Sequence, residues 1–205
     1  MRIYNFVKLS PLTVLFLSFC FFPAMMGDSN AAESFDFTQH NVKIQSGNYA
    51  ISYRDHKNKD KWHIEPSVKF DQWAVAYRYA KSGGKLENRL RITHSGVKKN
   101  GFAIKPRVEV RNFSDTTKDD FSNLWLRLSY KKSFGNFTPY IEIAPKFAFA
   151  SDKYDNGSHY ETESEMGVMY KVSDRLSVGG LFEIVTDKSN HTKAQFLGTN
   201  LKLKF

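Results

Sequence analysis

From residue 48 to the last residue, apolar and polar side chains alternate with a period of two through ten segments: 48–56, 62–70, 73–81, 86–95, 102–113, 121–132, 137–149, 159–172, 175–186 and 193–205. A period of two is that of an extended strand, whose successive side chains point to opposite faces. The closing segment shows it most clearly. Leu197, Thr199, Leu201, Leu203 and Phe205 fall on one face, and Phe196, Gly198, Asn200, Lys202 and Lys204 on the other. Each segment has about the length that a tilted strand needs to cross a bilayer. No repeat, heptad or helical period competes with this pattern.

The connections alternate in character. Asp71-Gln72, Gly96–Asn100, Ser133–Asn136 and Ser173-Asp174 are short. Lys57–Lys61, Lys81–Lys85, Ser114–Asp120, Ala150–Ser158 and Asp187–Thr192 are polar, and some are clearly longer. Short turns at one rim and longer loops at the other belong to outer-membrane barrels. The pattern predicts an all-β fold, a single antiparallel transmembrane β-barrel of about ten strands over 48–205, with twelve and eight as alternative counts. Residues 32–47, where Phe35, Phe37, Val42 and Ile44 alternate imperfectly, read as an N-terminal arm or the start of the first strand. An even count would bring both ends of the barrel to one side. Pro106, Pro139 and Pro145 fall inside strands, and since proline donates nothing to a ladder, each calls for a bulge or weakened pairing.

The first residues do not alternate. Arg2 and Lys8 precede an uncharged apolar run from Pro11 to Gly27, and Ser29-Asn30-Ala31 offers small residues for a signal peptidase. Residues 1–31 therefore read as a cleaved signal peptide, which predicts export. The only cysteine, Cys20, lies in this leader. The exported chain would then have no disulfide and no thiol metal site, and no cofactor is expected. Formal charge is +9, or +8 once residues 1–31 with Arg2, Lys8 and Asp28 are removed. Such a balance allows nucleic acid, anionic membrane or acidic solutes as partners. Nucleic acid is set aside, because the basic residues are spread along strands rather than gathered in a patch, and the chain is exported.

Alternation assigns the faces. Outward fall residues such as Tyr49, Ile51, Tyr53, Ile64, Tyr77, Leu90, Ile92, Val108, Val110, Leu128, Ile141 and Ile143. Trp62, Trp73, Tyr79, Tyr130, Phe137, Phe149 and Tyr170 lie near segment ends, where aromatic girdles belong. Inward fall Arg54, Arg78, Arg89, Arg91, Lys105, Arg107, Arg111, Arg127 and Lys131, with Glu109 among them. Glu161, Glu163 and Glu165 form an acidic run on a later strand, so the interior is expected to carry opposed walls of opposite sign. Arginine meets a carboxylate through two parallel hydrogen bonds. A track of arginines two residues apart would offer an acidic solute successive weak sites. Inward Trp125 and Tyr140 would either stack on sugar rings or fill space.

Several stretches resemble the oligogalacturonate-specific porin family, of the KdgM and NanC type. They are Val75-Ala76-Tyr77-Arg78-Tyr79, Glu87-Asn88-Arg89-Leu90-Arg91-Ile92-Thr93-His94-Ser95, Asn100-Gly101-Phe102-Ala103-Ile104, Val108-Glu109-Val110 and Phe137-Thr138-Pro139-Tyr140-Ile141-Glu142-Ile143. The resemblance implies a small monomeric outer-membrane barrel passing acidic oligosaccharides along arginine-lined walls. Arg78, Arg89, Arg91 and Glu109 match its motif positions. The family usually has twelve strands, against the ten read here. The expected function is thus a porin for acidic oligosaccharides in the outer membrane of a Gram-negative bacterium, with outer-membrane lipid as its surroundings. Two alternatives stand beside it: a non-conducting barrel, structural or partner-binding, plugged by its own charge pairs, and a barrel enzyme. For the latter, His94 and Ser95 are adjacent and point to opposite faces, so no catalytic residues are assigned.

Overall fold

The computed structural model describes residues 36–56, 61–82, 84–114, 120–151 and 154–205. The chain divides into two units, 1–34 and 35–205, and the described fold is that of the second. The signal peptide read at 1–31 and residues 32–35 lie outside the described residues.

Every described segment of any length is a strand. In chain order they are β1 (Asp36–Ser46), β2 (Tyr49–His56), β3 (Lys61–Phe70), β4 (Trp73–Ser82), β5 (Lys85–His94), β6 (Val97–Lys99), β7 (Phe102–Phe113), β8 (Phe121–Lys131), β9 (Phe137–Ser151), β10 (His159–Lys171), β11 (Leu176–Asp187) and β12 (Thr192–Lys204). Neighbours pair in sequence order, β5 also pairs with β7, and β1 pairs with β12. The sheet therefore closes on itself as an eleven-stranded barrel, with β6 as a short addition beside β7.

The expected strand count and the purely antiparallel pairing are both corrected. The barrel has eleven strands rather than ten, because residues 36–46 form a full strand of their own. An up-and-down ring with an odd count must contain one parallel pair, and here it is β1 with β12, from Asp36 opposite Phe196 to Gln45 opposite Lys204. The beginning of β1 and the end of β12 consequently lie at opposite rims. A register shift between Phe37 and Gln39 breaks the alternation there. The short turns share one rim with Phe205, whose backbone N–H donates to the Gln45 carbonyl at 2.9 Å.

The prolines behave less uniformly than expected. Pro106 stands opposite Leu126, and Pro139 opposite Val168, in unbroken register. At Pro145 the pairing lapses, the β8–β9 register passing from Trp125–Lys146 to Leu128–Ile143, and it lapses likewise at Pro66, where the β3–β4 register passes from Ile64–Tyr79 to Ser67–Ala76. The bulges lie elsewhere, at Phe37/Gln39, Phe121/Ser122, His159/Glu161 and Val185/Thr186.

Between β5 and β7 the chain is more than a short turn. Asn100 and Gly101 both have positive φ (51° and 89°), as a two-residue hairpin of the primed type requires, and they join β6 to β7. Gly96 has φ 63°, and a Cβ there would collide with the Ile104 carbonyl. Gly96→Ala is expected to cost about 1–3 kcal/mol of strain. Gly47→Ala, at φ 53° with open space around it, should cost less. Urea unfolding of the two variants side by side measures the difference.

Burial is inverted relative to a water-soluble domain. Tyr49, Ile51, Tyr77, Leu90, Ile92, Ile104, Val108, Val110, Ile141 and Ile143 are among a broad set of large apolar side chains exposed on the outer face. The largest fully buried side chains are Gln39, Glu109 and Asn123. Cross-strand aromatic pairs, Trp62 with Tyr79, Trp73 with His94, Phe102 with Tyr130 and Phe137 with Tyr170, sit toward the strand ends. Inside the wall the buried apolar cluster is small: Phe121, Ala148 and Tyr160, with Phe113 and Tyr154 against it.

Candidate functional site

The inward faces meet in a network of ion pairs whose register is set by the strand pairing. Glu65 on β3 accepts from Arg78 Nε at 2.6 Å and from Arg91 Nη1 at 2.7 Å. Glu109 on β7 accepts from Arg91 Nε at 2.5 Å and Arg89 Nη1 at 3.3 Å, with Arg111 Nε at 3.8 Å. Glu87 on β5 takes two bonds from Arg89, at 2.8 Å each, and one from Arg111 at 2.6 Å. Arg127 on β8 reaches Glu142 on β9 at 2.5 and 2.7 Å. Lys146 holds Glu161 and Glu163 at 2.5 Å each. Removing charges from water is costly, and the cost is recovered only when every donor finds a close acceptor.

A second part of the network bridges the parallel seam. Arg54 on β2 reaches over β1 and β12 to Glu183 on β11 at 3.2 Å and lies 4.0 Å from Glu165 on β10. It also donates to Asn41 at 2.6 Å, and Asn41 donates to Asn200 at 2.9 Å. Tyr140 donates to Glu165 at 2.6 Å and accepts from Asn200 at 3.1 Å. Fully buried Gln39 sits against Glu183 at 3.3 Å, inside this bridge.

The network leaves a cavity of about 720 Å³. It touches Lys61 and Lys193 toward the long-connection rim, and Lys43 and Lys202 toward the short-turn rim. On β3–β8, six arginines, Arg78, Arg89, Arg91, Arg107, Arg111 and Arg127, stand against Glu65, Glu87 and Glu109. On the remaining strands, Glu142, Glu161, Glu163, Glu165 and Glu183 stand against Arg54 and Lys146. The arginine-rich wall that the alternation predicts is therefore present, but the glutamates of the other wall are matched in number by Arg54 and Lys146 together with Lys43, Lys193 and Lys202, so the expected wall of opposite sign is not there.

Of the residues expected to line a lumen, Arg54, Arg78, Arg89, Arg91, Arg107, Arg111, Arg127, Trp125 and Tyr140 border the cavity. Glu109 lies behind them, wholly enclosed by its arginines. Lys105 and Lys131 stand at the short-turn end, outside the cavity lining. Trp125 does not offer an open ring. It is only 4 % exposed, its indole N–H donates to Asn123, and Arg91, Arg107 and Lys146 stand over the ring at 5.3, 5.2 and 4.0 Å. Tyr140 is likewise committed to Glu165 and Asn200.

Arg107 is the exception among the arginines that border the cavity. Its Nε donates to Thr93 Oγ1 at 3.0 Å, and no carboxylate among the described residues lies within 4.0 Å of its guanidinium. Sequence reasoning did not single out Gln39, His63 or Asn123, all buried in the interior. Their inward parity was the only available signal, and it did not distinguish a packed polar residue from a solvated one.

Comparisons of the chain with protein-family models, with curated proteins and with solved structures found no match.

Proposed function

We propose that the barrel lies in an outer membrane and forms a narrow, anion-preferring channel for small acidic solutes, acidic oligosaccharides among them. The observation that carries this reading is a charged cavity reaching toward both rims inside a wall whose outer face is apolar. Soluble monomers rarely expose apolar patches of more than a few hundred Å², and a lipid-facing band needs that distribution. Barrels of eight strands are filled by side chains and those of sixteen leave an open channel, so eleven suits a restricted lumen.

Anion preference follows from which charges remain unpaired. The glutamates of the middle are engaged by arginine or lysine, whereas Arg107, Lys61, Lys43 and Lys202 border the cavity with no carboxylate partner among the described residues. A passing anion exchanges weak contacts with them and leaves, as conduction requires. The planar-bilayer expectation is a conductance with anion preference. Arg107→Gln should lower the anion-to-cation permeability ratio by roughly threefold, since one uncompensated charge in a confined lumen is poorly screened. Arg89 and Arg91 hold the buried glutamates, so their replacement would test folding together with selectivity. Liposome swelling with galacturonate oligomers against neutral maltose oligomers tests the solute class. A cation preference in the unaltered protein would overturn the channel as described.

The density of ion pairs favours a second reading, a barrel stitched shut by its own charges. Absence of conductance from correctly folded protein would select it.

A further inference from the structure

The charges of the interior are sorted along the barrel axis as well as across it. The middle holds arginine with glutamate, but the charges on the inward faces of the short-turn rim are those of lysine. Lys43 on β1, Lys202 on β12, Lys105 on β7 and Lys131 on β8 point inward there, as the parity of Asn41, Asn200, Arg107 and Arg127 fixes. None of the four has a carboxylate within 4.0 Å among the described residues. The nearest inward acids are already engaged, Glu142 by Arg127 at 2.5 Å and Glu165 by Tyr140 at 2.6 Å. Asp174, in the β10–β11 turn, is held by Lys171 at 2.6 Å.

Strand register, independently of that pairing, sets like charges directly opposite one another: Lys43 against Lys202 across the seam, and Lys105 against Arg127 on β7–β8. Such cross-strand pairs are destabilising unless something neutralises them. Across the opening, Lys202 also feels the charges of Lys131 and Lys204, and Lys105 those of Lys131 and Lys98, opposed by the carboxylate of Glu142. The cavity runs down to Lys43 and Lys202, so a solute in the lumen reaches this rim.

We infer that the short-turn rim is a binding site for multivalent oxyanions, held by the charges of Lys43, Lys105, Lys131 and Lys202. Lysine is a compact point charge on a flexible stem and lacks the planar fork of arginine. The site therefore selects by valence and spacing, and takes polyphosphate or polycarboxylate alike. The channel reading gives it a role, the capture or release of acidic solutes at one mouth, but binding itself does not depend on conduction.

The test is calorimetric titration of the folded full chain in detergent with tripolyphosphate, citrate and acetate at low salt. Tripolyphosphate and citrate are expected to bind in order of their charge, weakening as salt is raised, and acetate not to register. The variant Lys43→Gln/Lys105→Gln/Lys131→Gln/Lys202→Gln should lose at least about tenfold in tripolyphosphate affinity. Lys188→Gln/Lys193→Gln, at the other rim, should retain it. None of the four rim lysines is buried, and a strand-type circular dichroism spectrum checks that each variant is folded. Equal affinity in the rim variant, no binding by the unaltered protein, or acetate binding as well as tripolyphosphate would each overturn the inference. In bilayers, tripolyphosphate added at one side only should block the current. Loss of conductance with binding intact would sink the channel and leave this site standing.

Discussion

Glu109→Ala is expected to cost the folded barrel about 3–5 kcal/mol, the loss expected when one partner of a buried ion network is removed. Glu109 is 0 % exposed, and Arg91, Arg89 and Arg111 approach it at 2.5, 3.3 and 3.8 Å. Alanine would leave three guanidinium groups around a void, with only Glu65 and Glu87 to share among them and Arg78. Glu142→Ala provides the comparison. Its carboxylate is 21 % exposed and, among the described residues, pairs with Arg127 alone, so water takes over much of its role and the loss should stay at about 1 kcal/mol. Unfolding by urea in lipid vesicles, monitored by tryptophan fluorescence, reads both. If Glu109→Ala lost no more than Glu142→Ala, the arginine cluster would not be organised around Glu109.

Ile143→Arg should destabilise the barrel by about 2–4 kcal/mol in a bilayer, the cost of an arginine near the midplane of a lipid-facing wall. Ile143 lies in the middle of β9, opposite Leu128 and Ser164, and is 42 % exposed on the outer face. The same substitution on the water-exposed face of a soluble protein would change stability by no more than about 0.5 kcal/mol. Arginine at the neighbouring inward position, Ala144, would instead meet the packed interior. If vesicle-embedded Ile143→Arg unfolded at the same denaturant concentration as the unaltered protein, membrane burial of this band would be refuted. A chain that stays folded and dispersed without detergent would refute it too.

What could be read from the chain and what could not divide along the range of the interactions. The ten segments from residue 48 onward recur as strands with ends displaced by only a residue or two, and Tyr49, Leu90, Val110 and Ile141 face outward as their parity dictates. Alternation is local, so a sequence shows it. It failed at β1, where the register shift between Phe37 and Gln39 interrupts the period of two, and with β1 the strand count and the parallel seam were lost. It also missed β6, which is three residues long.

The types of charge inside the barrel were legible, but their pairing was not. Arg78, Arg89 and Arg91 look like a free track along the chain. Glu87 lies two residues from Arg89 on β5, but only the register of β3, β4, β5 and β7 brings Glu65 and Glu109 within reach of them. The bridge from Arg54 to Glu183 joins residues 129 positions apart, across a seam that no local pattern announces. Whether Trp125 stacks on a solute or fills space stayed open in the sequence, because nothing near it in sequence foretells that Arg91 and Lys146 cover the ring.

The parallel seam also bears on how this chain tolerates rewiring. In an up-and-down barrel with an even count, the two ends meet at one rim and a few residues can splice them, so that a new start can be cut at another turn. Here the eleven residues of β1 separate Asp36 from the rim that carries Phe205. At ~3.3 Å per residue that is a climb of roughly 35 Å. A splice would have to run down through the lumen, past the Arg54–Glu183 bridge, or along the apolar outer face. Circularly permuted versions should therefore fail where those of an even-stranded barrel succeed. Reporter groups fused at the start of β1 and behind Phe205 would stand at opposite rims of the barrel.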